Sequence, residues 1–247
     1  MNKKVLLTQT ILVLSFFLVW QILASFNLIN TFIFSSPIRV IKTLFDLLIK
    51  YNLLYHIFIT FSEILISFIL GILISFIISI ILYLNKFIAK VVDPFLTMLN
   101  SAPKIALGPI IIIWFGANQK SIIVMALLIN VIISIITIYS GFISTSEVKL
   151  RLFKIFNASK KDELIHLVIP ENIGSIISAI KINISLTMIG VIMGEFLVSK
   201  SGIGYLICYG TQVFNLDIVI TGIFILIFLS YIIYKVTLLI NKKSKDY

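Results

Sequence analysis

Four polar side chains lie inside long apolar runs, where lipid would charge a high cost for them: Glu63, Asn183, Thr187 and Glu195. Ionisable groups at membrane depth face a cavity, a route or a partner rather than hydrocarbon. A carboxylate there can hold a cation or repel an anion. An amide or hydroxyl can exchange hydrogen bonds with a passing solute. Lys181 and Glu195 share one helical face, about 40° apart, but stand roughly 21 Å apart along the axis, so they cannot pair directly. They either border a route or snorkel towards opposite interfaces. Asn183, Thr187, Gly190 and Gly194 fall on one narrow arc away from Lys181, and Gly190 with Gly194 makes a small-xxx-small pair. That arc serves equally as a solute-facing surface or as a helix contact, and both readings stay open.

Other chemistries lack their residues. No Gly-x-x-x-x-Gly-Lys-Ser/Thr loop occurs, so the chain has no P-loop of its own for ATP. His56 and His166 stand far apart with no metal-ligand spacing around them. Cys208 is the only cysteine, which excludes an intrachain disulfide and a cysteine metal cluster. No nucleophile–base pair is visible, so any catalysis belongs to a partner, and no cofactor is expected.

The elements that carry these residues are membrane spans. The 247 residues are 60% hydrophobic and 12% charged, about half the charge of an ordinary soluble domain. Spans are read at Val5–Phe26, Ile57–Leu84, a kinked segment around Phe95–Phe115 that contains Pro103 and Gly108-Pro109, Ser121–Ile143, Asn172–Ser199 and Asp217–Ile240. The expectation is an all-α polytopic membrane protein of about six transmembrane helices, in contact with lipid. The N-terminal span and its external turn occupy 1–34, and a short amphipathic helix at 35–56 is capped by Ser36-Pro37, with Ile38, Ile41, Phe45 and Leu48 as its apolar stripe. The core occupies 57–241 and a tail 242–247.

The net charge of +10 is spread over the gaps between spans rather than over one basic face, so no nucleic-acid partner is expected. Six spans place both termini on one side. That side then holds Lys3, Lys4, Lys86, Lys90, Lys104, Lys149, Arg151, Lys154, Lys160, Lys161, Lys235, Lys242, Lys243 and Lys245, against Arg39, Lys42, Lys50, Lys120 and Lys200 on the other. The positive-inside rule makes the richer side cytoplasmic.

A polar island at 144–171 is thereby expected in the cytoplasm. Ser144 with Glu147 reads as a capping box that opens a helix over Ser146–Phe156, with Val148, Leu152, Phe153 and Phe156 as its apolar stripe. Asn157 tolerates the left-handed turn that ends it. Ser159 with Asp162 opens a second helix from Lys160 to about Val168, which should stop before Pro170. Such a projection can lay a short helix in a partner's groove, or it can be a solvated loop.

Asn157-Ala158-Ser159 and Leu167-Val168-Ile169-Pro170 resemble the signature loop of bacterial ABC importer permeases, which reads Glu-Ala-Ala, then Gly, then Ile or Leu and Pro. Pro103, Ala106, Pro109, Trp114, Phe115 and Gly116 are similar to the nitrate/sulfonate/taurine-type branch, as are Glu195, Gly202, Gly204, Tyr205, Ser36-Pro37 and Gly71. The resemblance covers about Ser35 to Asn241. Asn157 replaces the loop Gly, the Glu-Ala-Ala portion is not recognisable, and Glu63 stands where the branch often has Arg.

The resemblance implies a permease subunit in the bacterial inner membrane, without an ATPase site of its own. Its implied partners are an ATP-binding cassette subunit, a second permease copy and an extracytoplasmic substrate-binding protein. Coupling to the ATPase would fall to Asn157, Ala158, Ser159, Lys160, Asp162, Glu163, Leu164, Leu167 and Pro170. Its cargo would be a small solute, nitrate-, sulfonate- or taurine-like or a vitamin precursor. The alternative expectation is an ion-coupled secondary transporter working through Glu63, Lys181 and Glu195.

Overall fold

The computed structural model describes residues 3–198 and 200–243, so the expected tail at 242–247 lies mostly outside the described residues. Every regular element among them is helical: α1 (Lys3–Ser25), α2 (Thr31–Phe34), α3 (Pro37–Lys50), α4 (Leu53–Leu84), α5 (Lys86–Ser101), α6 (Gly108–Phe115), α7 (Gln119–Ile143), α8 (Glu147–Ile155), α9 (Lys160–Glu163), α10 (Ile169–Glu171), α11 (Ile173–Val198), α12 (Ile203–Gln212) and α13 (Leu216–Lys243). A 3₁₀ turn covers Lys104–Leu107 and a π-helical segment covers Leu164–Val168. Five helices are long and apolar enough to cross a membrane, and the α5–α6 pair makes a sixth if counted as one span. The expected all-α polytopic fold is what the structure shows.

The third span differs from a simple kinked rod. Its two halves meet at 90°, and the break falls at Ala102-Pro103 and the 3₁₀ turn rather than at Gly108-Pro109. Pro103 biases Ala102 out of the helical region, and Ala102 is extended (φ −65°, ψ 142°). Gly108-Pro109 instead opens α6, with Pro109 in the first turn, where its missing N–H costs nothing.

The chain divides into two compact units. The first comprises the described residues of Met1–Ile59 and Lys200–Leu229. As expected, Ser36 caps α3, its Oγ accepting from the Arg39 backbone N–H, with Pro37 in the first turn. The stripe Ile38, Ile41, Phe45 and Leu48 is exposed, while Leu47 on the opposite side packs with Leu53, Leu206 and Ile218. Asp217 clamps the start of α3: Arg39 Nη2 donates to Oδ2 at 2.6 Å, and the Ser35 hydroxyl donates to Oδ1 at 2.6 Å. Gly202, at φ 105°, takes a conformation L side chains rarely adopt, and its N–H donates to His56 Nδ1 at 3.0 Å.

The second unit comprises the described residues of Thr60–Ser199 and Ser230–Tyr247. Helix α7 is its core, with Met125, Ala126, Asn130, Ser134, Ile138 and Phe142 buried. Helix α11 packs closely on α7 because Gly190 and Gly194 carry no side chain. A Cβ on Gly190 would stand 2.5 Å from Ala126 Cα, and one on Gly194 would stand 2.9 Å from Ile122 Cγ2. Helix α4 approaches α7 in the same way, since a Cβ on Gly71 would lie 2.7 Å from the Asn130 side chain.

Candidate functional site

The second unit holds a buried polar seam and, at its far end, the loop that follows α7. The seam begins with a row of small and polar residues at every fourth position of α4: Glu63, Ser67, Gly71, Ser75 and Ser79, all buried. Four-residue spacing keeps them on one face. Ser75 Oγ donates to the Gly71 and Val131 carbonyls at 2.6 and 3.1 Å, and Ser79 Oγ donates to the Ser75 and Ile135 carbonyls at 2.8 and 3.3 Å, so hydroxyls bridge α4 to the α7 backbone. From α11, Asn183 Nδ2 donates to Ser134 Oγ at 2.8 Å, and the Thr187 hydroxyl donates to Asn183 Oδ1 at 3.2 Å. Asn130 Nδ2 donates to Thr187 Oγ1 at 2.6 Å.

At the α4 N-terminal end of the seam, Glu63 and Glu195 lie within interaction distance of each other, with Gln119 close by. Glu63 is 0% exposed and Glu195 1%. Thr60 donates to Glu195 Oε1 at 2.6 Å. Among the described residues, neither Glu63 oxygen has a hydrogen-bond donor in good geometry, and no basic side chain forms an ion pair with it. Asn130 Oδ1 and Ser67 Oγ are likewise buried without a partner. Such groups are costly.

All four candidate route residues, Glu63, Asn183, Thr187 and Glu195, are therefore brought into one seam between α4, α7 and α11. Lys181 stays half-buried towards the other end of α11. Sequence reading missed Thr60, Ser67, Asn130 and Ser134. The four-residue spacing from Glu63 to Ser79 was the available signal for Ser67, whereas nothing in the sequence pairs Asn130 with Thr187.

The loop is tied to its own neck. Asn172 Nδ2 donates to Thr145 Oγ1 at 2.7 Å, and Lys149 Nζ meets Glu171 Oε1 at 3.1 Å. The capping box expected from Ser144 and Glu147 does not form. The Ser144 hydroxyl donates to the Gly141 carbonyl at 2.7 Å as part of the α7 terminus, and Ser146 precedes α8 without a side-chain cap. The second expected box is present: the Ser159 Oγ accepts from the Asp162 N–H at 3.2 Å, and Asp162 Oδ2 accepts from the Ser159 N–H at 3.2 Å. The Ser159 hydroxyl, which also donates to Asp162 Oδ2 at 2.6 Å, and then the Ser159 N–H hold the Asp162 carboxyl below the usual aspartate range. Asn157 takes the left-handed turn, at φ 52°.

The helix expected to stop before Pro170 instead runs through it to Glu171. Proline clashes with the carbonyl four residues back. Here the Ile169 N–H bonds the Leu164 carbonyl five residues back, and this wide π turn makes room for the ring.

The coupling candidates separate by burial. Leu164 is buried with Val168, Ile138, Phe142 and Ala179. Asn157, Ser159, Lys160, Asp162 and the preceding helix face solvent, with Val148 78%, Ile155 76% and Phe156 75% exposed. Ala158, Glu163 and Leu167 are half-buried, and Pro170 is exposed. Val148, Leu152 and Ile155 line a shallow groove with Lys149 and Arg151. No group of three or more His, Cys, Asp or Glu that could hold a metal occurs among the described residues.

The chain combines lipid-spanning helices, a buried polar seam and a projecting loop. Residues 67–246 match the binding-protein-dependent transport system inner membrane component, and the chain belongs to that family. It is a multi-pass inner-membrane protein and the permease subunit of an ATP-driven ABC importer. A probable ABC transporter permease protein of Haemophilus influenzae is 30% identical over 94% of both chains. The formylaminopyrimidine transport permease ThiX of Halalkalibacterium halodurans is 27% identical over 81% of this chain and 79% of its own. The putative aliphatic sulfonates transport permease SsuC of Escherichia coli is 28% identical over 83% and 78%. The family works with an ATPase and a substrate-binding protein, so the ion-coupled alternative is not adopted.

Proposed function

We propose that the loop at 144–171 docks an ATP-binding cassette subunit in the cytoplasm, with both chain termini on that same side. Asn157, Ala158, Ser159, Lys160, Asp162, Glu163, Leu164, Leu167 and Pro170 form the helical segment that carries the push. The observation that supports this most is the exposure of Val148, Ile155 and Phe156 on a segment too polar to enter lipid. Apolar side chains presented on a short rigid helix suit a partner's groove. The lysines and arginine around them match the positive-inside rule.

A second copy of the chain completes the translocation route, and an extracytoplasmic binding protein delivers the solute. Asn183, Thr187 and Glu195 tie α4, α7 and α11 together as a wall of that route, with Glu63 buried among them. Relatives are named for formylaminopyrimidine and aliphatic sulfonates. The cargo is a small solute of that range, nitrate-, sulfonate- or taurine-like or a vitamin precursor.

Co-purification with the cognate ATPase subunit tests the docking. Phe156→Asp or Ser159→Arg should cut retention at least tenfold while leaving the chain's own melting temperature unchanged. Undiminished retention in both variants would contradict the assignment.

A further inference from the structure

Helices α7 and α11 flank the loop covalently, but α4 does not. A push on the loop reaches α4 only through non-covalent contacts. Among the described residues one side-chain hydrogen bond makes that link: the Tyr83 hydroxyl donates to Glu163 Oε1 at 2.5 Å, across 80 residues of chain.

Both ends of the bond are set in rigid surroundings. Tyr83 is the penultimate residue of α4, and its ring stands edge-on to Phe142, 6.0 Å between centroids at 81°. Phe142 is fully buried and stands edge-on to Phe76 as well, at 6.3 Å and 76°. Glu163 closes the turn fixed by the Ser159–Asp162 capping box. The next residue, Leu164, begins the π-helical segment and is buried in the same cluster as Phe142. π-helical insertions recur at functional sites, and this one lies between the loop's exposed turn and the packed base.

We propose that Tyr83 is a positioning residue that transmits movement of the loop to α4, with Glu163 as its acceptor. The inference rests on the docking reading above. A surface anchor would contribute stability and nothing to the response to nucleotide. A transmitting bond carries α4 along when the ATPase subunits close, and losing it lets the loop move while α4 lags.

The test uses the full chain with its cognate ATPase subunit in lipid nanodiscs, Cys208→Ser, and a nitroxide on either Ile77→Cys of α4 or Lys161→Cys of the loop. The probe is ATP with orthovanadate. In the otherwise unaltered chain both labels should change their spectra. Tyr83→Phe, which keeps the ring and its packing, should retain the ATPase subunit and the loop response but reduce the α4 response at least threefold. Glu163→Ala should likewise reduce the α4 response at least threefold, and Glu163→Gln, which keeps a carbonyl acceptor, should preserve it. An α4 response undiminished in Tyr83→Phe would overturn the tether while leaving docking intact. A complex that does not form with the unaltered chain would overturn the docking reading and the tether together.

Discussion

Glu63 is the residue whose cost is plainest. A buried carboxyl whose oxygens lack a well-placed donor, next to a second carboxyl, destabilises the fold that contains it. Glu63→Gln supplies an amide that can donate to Glu195, and should raise stability by about 1–3 kcal/mol in detergent unfolding. A loss of stability instead would mean that the carboxyl meets a need the described residues do not show. Asp162 carries a pH signature. Its carboxyl is lowered in the folded loop, so its capping contribution is complete above the unfolded aspartate value, about 3.9, and is lost only as pH falls through the lowered folded value. Amide protection of the turn at 159–163 should be flat from pH 6 to 8 and decline only in strong acid, and Asp162→Asn should remove that decline. The resemblance marked the loop, and elementary membrane physics marked Glu63 and Glu195. The chain order of donors that leaves Asn130 Oδ1 without a partner depends on helix contacts that no local pattern encodes.

At the scale of elements, glycine spacing sets how closely helices approach. Gly190→Val would place its Cβ 2.5 Å from the Ala126 backbone, which cannot yield as a flexible side chain could. It should cost about 1–3 kcal/mol, whereas Gly174→Ala, with nothing within 4 Å, should be close to neutral in the same unfolding assay. The small-xxx-small pair made this contact legible. Two other elements were legible only in part. Proline as a helix stop predicted an end before Pro170, and a single π turn removed the reason to stop. The third span was read as kinked, yet its 90° bend arises from the residue before Pro103 and the following 3₁₀ turn.

That bent pair still has to carry the chain across. Tyr83 at the end of α4 meets Glu163 in the loop, while Glu63 near the start of α4 neighbours Glu195 and the first residue of α7, Gln119. Helices α4 and α7 therefore run in the same direction, and α5 with α6 must return the chain between them. That return makes the bent pair the crossing that can be added to the five long apolar helices.

For the whole molecule, the proposed docking has a motor on the loop drive the spans. Alternating access needs nucleotide to favour one arrangement of the spans over another by a differential affinity, and in that proposal the loop is where the difference enters. A permease without a P-loop and with one projecting helical segment should be inert alone. The most direct measurement is the mobility of a nitroxide on Ile77→Cys of α4, in a Cys208→Ser chain reconstituted with and without the cognate ATPase subunit. Addition of ATP and orthovanadate should change its spectrum with the subunit present, and leave it unchanged without the subunit or with Phe156→Asp. A nucleotide response in the isolated chain, or one that survives Phe156→Asp undiminished, would contradict the account.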